Sequence, residues 1–508
     1  MPSQLTYPGV YIEEIPSGVR TIMGVATSIT AFIGRAARGP VNIATTITSF
    51  SDYERTFGGL SANSTMSFAV RDFFQNGGSQ AVIVRLMADN NPKPSEKEIS
   101  GLTFQASSPG EWGDRLKISF DTTGVQDPSK FFNIAVGQAG DDGEDILLER
   151  IKSVTFEAGK PRSVDAVLER ESQYLRAKGT TTSAPSQNTQ LADGTPDGVL
   201  ADGDYIDSRD EKKGIYSLEN TDLFNMLCIP PDQKTSDTSA TVLAGALTYC
   251  RERRAMLIVD SPVGWQADGK ISANFKSNPA SGLSSLGLSG QSTRNAALYF
   301  PRVKYSNPIN NSQQEEFPAC GVIAGLYAFT DTTRGVWKAP AGLDAGLVGV
   351  QSLAVKMNDA ENGLLNPLGI NCLREFPVSG RVIWGARTLR GADGLADEYK
   401  YVPVRRTALF IEESLYRGTQ WAVFEPNDEP LWAQLRLNIG SFMHDLFRQG
   451  AFQGSSPREA YLVKCDKETT TQSDINKGIV NVVVGFAPLK PAEFVVIKLQ
   501  QLAGQIDT

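Results

Sequence analysis

Short runs in which every residue is apolar limit the fold of this chain more than any other feature. Clear examples are residues 81–84 (AVIV) and 255–259 (AMLIV). Such a strand is buried on both faces, which is typical of a parallel sheet enclosed by two layers of helices. Helical patterns over residues 65–76 and 238–252 alternate with these runs. The alternation predicts an α/β architecture in which helices cover both faces of a parallel sheet.

Two other parts of the chain have different patterns. Between residues 100 and 205, predicted strands at 116–120, 131–136 and 146–148 are separated by Gly, Asp or Pro, which predicts a small antiparallel β domain. Residues 179–204, rich in Gly, Ser, Thr and Asp, predict an exposed loop. Towards the C-terminus the patterns indicate helices at 407–421 and 427–449 and strands at 460–464 and 479–486. We therefore expect a multidomain protein of the α+β or α/β class.

Both ends of the chain contain an isolated strand pattern with apolar residues on both faces. The N-terminal pattern contains Val10, Tyr11, Ile12 and Ile15, and the C-terminal pattern contains Phe494, Val495, Val496, Ile497 and Leu499. Neither has a turn and a partner strand next to it, so its backbone hydrogen-bonding groups need a distant partner. We expect each terminal arm to dock on a distant sheet of its own chain or to reach another chain.

The sequence contains little of the equipment of an enzyme. His444, on the predicted 427–449 helix, is its single histidine, and it has no G-x-S-x-G, P-loop or G-x-G-x-x-G motif. Asp260 and Ser261 follow an apolar strand and suit a turn or a cap, and the acidic residues 141–145 lack the spacing of an EF-hand. The five cysteines have no C-x-x-C spacing, which favours buried thiols in a reducing compartment. No catalytic residue, cofactor site or metal site is predicted.

The charge pattern excludes some partners and suggests one surface. The net charge of −8 argues against a bulk nucleic-acid binder. No export signal or apolar run of ~20 residues is visible, so we expect a soluble protein made in the cytoplasm. Positive charge is nevertheless concentrated in one stretch, which includes Arg381, Arg387, Arg405 and Arg406.

The order of several short motifs resembles contractile tail sheath proteins of myophages, R-type tailocins and contractile injection systems. The resemblance covers roughly residues 1–90 and 215–508, and 100–205 match poorly. The matching text is 7–14 (YPGVYIEE), 31–34 (AFIG), 39–40 (GP), 57–59 (FGG), 74–78 (FQNGG), 366–367 (NP), 369–371 (GIN), 384–389 (WGARTL), 401–406 (YVPVRR) and 485–494 (GFAPLKPAEF).

The resemblance implies a structural subunit without enzymatic activity or cofactor. Such subunits polymerise as a six-start helical sheath of hexameric rings around a tail tube, and contraction drives the tube through a target cell envelope. The implied partners are other copies of the chain, the tail tube protein, and baseplate and tail terminator proteins, with no nucleic-acid contact and no membrane insertion. The implied location is a virion tail or an extracellular contractile particle assembled in the bacterial host cytoplasm.

The resemblance also implies a domain plan. A composite inner α/β domain from N- and C-terminal parts would contain an inserted β-rich domain and an inserted, non-catalytic subtilisin-like α/β domain. The expected segments are an N-terminal β-arm (1–20), an N-terminal α/β domain (21–95), the β-rich domain (96–205), the subtilisin-like domain (206–362), the C-terminal inner domain (363–487) and a C-terminal β-arm (488–508).

Two sets of residues then acquire expected roles. The terminal arms would link subunits by β-strand addition, and Arg381, Arg387, Arg405 and Arg406 would face the tube. Two alternatives remain open from the residues themselves. One is another self-assembling structural protein, such as a tube, capsid or surface-layer subunit, and the other is a hydrolase with a subtilisin-like domain.

Overall fold

The computed structural model describes residues 20–88, 91–140, 145–157, 159–179, 181 and 188–499, and the chain divides into two compact units. Unit 1 comprises Met1–Ala26, Arg334–Ala339 and Pro403–Thr508. Unit 2 comprises Thr27–Thr333 and Pro340–Val402. Unit 1 thus combines segments from the N-terminal and the C-terminal parts of the chain.

Unit 2 contains most of the regular structure. Its strands are β1 (Thr30–Gly34), β2 (Thr45–Ile47), β3 (Ala81–Arg85), β4 (Glu96–Ile99), β5 (Leu102–Ala106), β6 (Leu116–Asp121), β7 (Phe131–Ala139), β8 (Asp145–Thr155), β9 (Leu175–Gly179), β10 (Thr189–Gln190), β11 (Met226–Cys228), β12 (Met256–Asp260), β13 (Gln266–Ala267), β14 (Lys270–Ile271), β15 (Ala296–Phe300), β16 (Val303–Asn307), β17 (Gln313–Phe317), β18 (Ser352–Leu353), β19 (Ile370–Phe376) and β20 (Gly380–Ile383). Its α-helices are α1 (Phe50–Phe57), α2 (Thr65–Gln75), α3 (Val164–Glu171), α4 (Asp202–Tyr205), α5 (Ala240–Glu252), α6 (Ala273–Ser277), α7 (Pro279–Ser284), α8 (Cys320–Arg334) and α9 (Asp359–Leu365).

An eight-stranded sheet forms the centre of unit 2. Its order is β2-β3-β1-β11-β12-β15-β19-β20, with parallel pairing from β3 to β19 and an antiparallel strand at each edge. Every residue of β1, β3, β11 and β15 is buried. The predicted mixed α/β class and the parallel sheet are confirmed, because runs apolar on both faces belong between two layers.

The order of this sheet brings together strands from several of the expected domains. Strands from the expected N-terminal domain (21–95), subtilisin-like domain (206–362) and C-terminal inner domain (363–487) are neighbours in it. One sheet has one pair of faces and therefore one core on each side, so these strands share the cores of the large sheet. Local patterns revealed the strands, but strand order depends on pairing between residues distant in sequence.

The predicted antiparallel β domain is an insertion with its own core. It has a four-stranded sheet, β10-β6-β7-β8, and a three-stranded sheet, β4-β5-β9. Apolar side chains of both sheets and of α3 form one buried cluster that includes Phe104, Ile118, Ile134, Val154 and Leu168. The predicted loop at 179–204 is only partly irregular in its described residues, because β10 and most of α4 lie within it. Residues 180 and 182–187 lie outside the described part.

A buried arginine fastens this insertion to the large sheet. The Arg85 side chain, at the end of β3, is fully buried. Its guanidinium donates hydrogen bonds to the carbonyls of Ala36 and Gly39 on the sheet side and of Pro109 in the insertion, at 3.1, 2.8 and 2.9 Å. Its charge also faces Asp197, 3.6 Å away, on the returning segment. Arg85 thus contacts both the segment that enters the insertion and the segment that leaves it.

Unit 1 is helical with one small sheet. Its elements are α10 (Val402–Gly418), whose residues from Pro403 onward belong to this unit, α11 (Glu429–Arg448), α12 (Pro457–Ala460), β21 (Tyr461–Lys464), α13 (Gln472–Asn476) and β22 (Val483–Phe486). The predicted helices and strands are therefore present: α10 begins and ends earlier than predicted, and α11, β21 and β22 are shorter than predicted. Within the described ranges, no helix combines the length and apolar character that crossing a membrane requires.

Candidate assembly interface

A two-stranded sheet in unit 1 has open edges. Strands β21 and β22 pair antiparallel, from Tyr461 opposite Phe486 to Lys464 opposite Val483, and no third strand joins them among the described residues. One face packs on the cluster that includes Ile439, Phe442 and Met443 of α11. The other face exposes Leu462 and Val483. A two-stranded sheet is marginal alone, and each free edge can accept another strand.

The first described residues are held against the helices of unit 1 by hydrogen bonds. The Arg20 amide donates to Asn438 Oδ1 at 3.0 Å, and the Val25 amide donates to Ser414 Oγ at 3.2 Å. Ile22 is buried in the same cluster that supports the small sheet. The predicted arm residues Val10, Tyr11, Ile12 and Ile15 lie outside the described residues.

The C-terminal arm residues are exposed. Residues 491–499 belong to no helix or strand, so the strand predicted over 493–500 does not form within the described part of one chain. Its five predicted contact residues have exposed fractions between 73% and 95%, and they are Phe494, Val495, Val496, Ile497 and Leu499. Adjacent large apolar side chains exposed to water indicate an interaction site.

The four arginines predicted to face the tube belong to two different units. Arg381 and Arg387 belong to unit 2, and Arg405 and Arg406 belong to unit 1. Arg387 is fully buried and donates to the Asn366 and Gly391 carbonyls at 3.0 and 3.2 Å. Arg406 is 4% exposed. The Arg387 and Arg406 side chains are therefore buried in this chain, and their tube-facing role stays a prediction.

Arg381 and Arg405 are only partly exposed, and each has an acidic neighbour. Arg381 lies 3.7 Å from Glu375 and donates to the Val350 carbonyl at 2.8 Å. Arg405 forms an ion pair with Glu412 at 3.2 Å. Their tube-facing role stays a prediction.

The loop between α10 and α11 contains exposed apolar residues that the sequence analysis did not single out. Val423 is 58% exposed and Phe424 is 103% exposed. A signal was available, because an apolar pair before Pro426 lies between two helical patterns and belongs to neither.

The groups considered for catalysis occupy separate places. His444 lies on α11 in unit 1, with its Nδ1 3.3 Å from the Tyr461 hydroxyl. Asp260 and Ser261 lie in unit 2, where Asp260 Oδ1 accepts hydrogen bonds from the Ala319 and Cys320 amides. The predicted capping role of Asp260 is therefore confirmed. All five cysteines are buried and unpaired with one another, as expected.

Comparison with known sequences matches this chain to tail sheath proteins. Residues 396–501 match the Phage tail sheath C-terminal domain. The tail sheath protein of Burkholderia phage BcepMu is 25% identical over 461 residues, covering 88% of this chain and 87% of that protein. The tail sheath protein of Vibrio phage KVP40 is 27% identical over 195 residues, covering 38% of this chain and 28% of that protein.

Solved structures share the fold. The sheath complex of the extracellular contractile injection system PVC, in its contracted state, has a TM-score of 0.59 at 21% identity and 98% coverage of both chains. The contracted helical sheath of the anti-feeding prophage has a TM-score of 0.57 at 23% identity, covering 98% of this chain and 99% of that one. The resemblance of the sequence to contractile tail sheath proteins is thereby confirmed.

Proposed function

We propose that this chain is the repeating structural subunit of a contractile sheath, and that its two terminal arms link neighbouring copies by adding strands to the β21–β22 sheet. The observation that supports the proposal most directly lies within unit 1. An open two-stranded sheet and an exposed apolar arm are present in one unit, and the N-terminal segment also binds there. A donor strand and an acceptor edge on every copy allow polymerisation without limit.

The arm anchors supply most of the energy of each link. A backbone hydrogen bond contributes about 0.5–1.5 kcal/mol net. Complete burial of an apolar side chain such as Phe494 or Ile497 contributes about 1.5–3 kcal/mol. Each subunit has two arms and is therefore multivalent, so it is held in the lattice much more strongly than one arm contact alone would hold it. Arms of this kind also let subunits rotate while they stay tethered, which a contracting sheath requires.

In the full proposal the sheath is a six-start helix of hexameric rings around a tail tube. Baseplate and terminator proteins occupy the two ends of the sheath. Contraction drives the tube through the target envelope. Solved relatives described as contracted sheath and baseplate assemblies support this role for the chain. The work is mechanical, so the subunit needs no catalytic residue or cofactor. Assembly takes place in the host cytoplasm, and the completed particle acts outside it.

Arm removal tests the proposal. A chain lacking residues 1–19 or 492–508 should keep the melting temperature and circular dichroism of the full chain but form no long rods in electron micrographs. Val495→Asp combined with Ile497→Asp should act like the truncation, because charges replace two anchors. Lys498→Gln in the same arm is the matched control and should assemble normally. Long rods from either truncation would refute the arm mechanism.

A further inference from the structure

The loop between α10 and α11 holds one aromatic ring entirely in solvent. The Phe424 side chain is 103% exposed, and the neighbouring Val423 side chain is 58% exposed. Most large apolar residues in the described parts of the chain are buried. The packing of this chain by itself therefore gives no reason for a fully exposed phenylalanine ring at this position. We call residues 423–424 the apolar knob.

The backbone of the knob is strained in a way that holds the ring outward. Phe424 has a φ of +68°, in the left-handed region that bulky residues rarely adopt. Packing does not explain this conformation, since the ring is exposed. Backbone strain of this kind persists where the surrounding structure enforces it, and it is concentrated at functional sites.

Hydrogen bonds on both sides of the knob enforce the conformation. The Val423 amide donates to the Gln420 carbonyl at 3.2 Å, and the Glu425 amide donates to the Ala422 carbonyl at 3.2 Å. Farther along, Asn427 Oδ1 accepts from the Trp432 indole at 2.9 Å. The loop is therefore ordered before any partner arrives, and little conformational entropy is lost when the knob is buried.

The same loop contacts both parts of the proposed arm linkage. The Arg20 guanidinium lies 4.4 Å from the centre of the Trp421 ring, beside the segment that leads to the N-terminal arm. The Asn427 side-chain amide donates to the Ile479 carbonyl at 3.0 Å, on the segment that precedes β22 of the acceptor sheet. The knob is thus continuous with the surface where arms are exchanged.

We propose that Val423 and Phe424 insert into an apolar pocket of a neighbouring copy of this chain. The inference rests on the proposed function, because exchanged arms bring a second copy to this surface. A preordered aromatic anchor that fills a partner's pocket has the character of an interface hot spot. The knob provides a rigid contact beside the flexible arm linkage, and it determines where the neighbouring copy is seated.

The first test uses Phe424→Gly in the full-length chain. Glycine adopts a φ of +68° without strain, so the melting temperature should stay equal or rise. The fraction of protein that sediments as rods should fall about tenfold, because the anchor is lost. Val378→Gly is the matched control, since Val378 is also 99% exposed but lies in the turn between β19 and β20 of unit 2. The control should form rods of normal length.

The second test identifies the occupant. A benzophenone amino acid at position 424, irradiated in assembled particles, should cross-link two copies of this chain. A cross-link to the tube protein would overturn the choice of partner. Normal rods from Phe424→Gly, or a lowered melting temperature in that variant, would overturn the knob itself. These outcomes are distinguishable from failure of the arm mechanism, which the truncated chains report independently.

Discussion

At the scale of single residues, Asp260 shows how a polar group at a strand end is used. The carboxylate ends β12, and its Oδ1 accepts hydrogen bonds from the Ala319 and Cys320 amides at 2.7 and 2.9 Å. These amides precede or begin α8, where unpaired N–H groups favour an acceptor. Burial raises the pKa of Asp260 above its usual value, although the Cys320 side chain and the Arg302 charge act in the opposite direction.

This pKa shift predicts a pH-dependent effect of Asp260→Asn. An acid whose pKa is raised by folding stabilises the folded state fully below its unfolded pKa and loses that contribution as the pH rises through its folded pKa. Asparagine keeps the acceptor oxygen and does not ionise. The free energy of unfolding of the variant, relative to the natural chain, should therefore increase as the pH rises above about 4, the ordinary pKa of an aspartic acid. Urea denaturation at several pH values measures this difference.

Asp260→Ala separates ionisation from hydrogen bonding. It removes the acceptor of two amides as well as the ionisable group, so at each pH it should be less stable than Asp260→Asn by about 1–3 kcal/mol. A pH-independent difference for Asp260→Asn would contradict the assignment of the raised pKa.

At the scale of elements, α2 and α8 approach each other closely enough that glycine is required between them. A Cβ atom at Gly321 would lie 2.1 Å from the Ala69 carbonyl oxygen, and one at Gly325 would lie 2.6 Å from the Phe73 carbonyl oxygen. These contacts are with backbone, which cannot move as a flexible side chain can. The two glycines, one helical turn apart, therefore allow α8 to pack against α2.

Gly321→Ala should lower the free energy of unfolding by about 3 kcal/mol or more, since the added methyl group forces the helices apart. Gly363→Ala in α9 is the matched control, because a Cβ there meets nothing within 4 Å. The control should stabilise the chain by about 0.4–1 kcal/mol through the unfolded state. Chemical denaturation of both variants measures the contrast, and equal stabilities would show that the helices can separate without cost.

At the scale of the whole molecule, the distribution of charge matters more than the total of −8. The buried Arg387 and Arg406 belong to the interior, so a charge change at either would damage the fold and could not report on a tube. Arg381 and Arg405 are the two predicted tube-facing residues with exposed side-chain surface, although each also faces an acidic residue of its own chain.

We expect Arg405→Gln and Arg381→Gln to weaken sheath assembly on the tube while the chain stays folded. Each exposed ionic contact contributes up to about 1 kcal/mol, so the effect should be larger at low salt. Co-sedimentation of sheath protein with purified tubes at two ionic strengths measures it. Lys498→Gln, which removes one positive charge outside both sites, controls for net charge. If the variant that carries both substitutions bound the tube as the natural chain does, Arg381 and Arg405 would not be part of the tube interface.

The sequence by itself determined the local patterns and the resemblance to contractile tail sheath proteins. Runs apolar on both faces predicted β3 and β12, the 3.6-residue period predicted α2, α5 and α11, and the ordered motifs indicated a sheath protein. These signals succeed because they depend on residues near one another in the chain. The apolar run of the C-terminal arm was also visible in the sequence, and its role as a link between subunits stays a prediction.

Only the tertiary structure decided how distant segments combine. It joined strands from three expected domains into one sheet, because pairing partners far apart in sequence leave no local mark. It also buried Arg387 and Arg406 while it left Phe424 in solvent at a left-handed φ. Residue type alone predicts the opposite in each case. Burial is a property of what surrounds a side chain, and those surroundings exist only after the chain has folded.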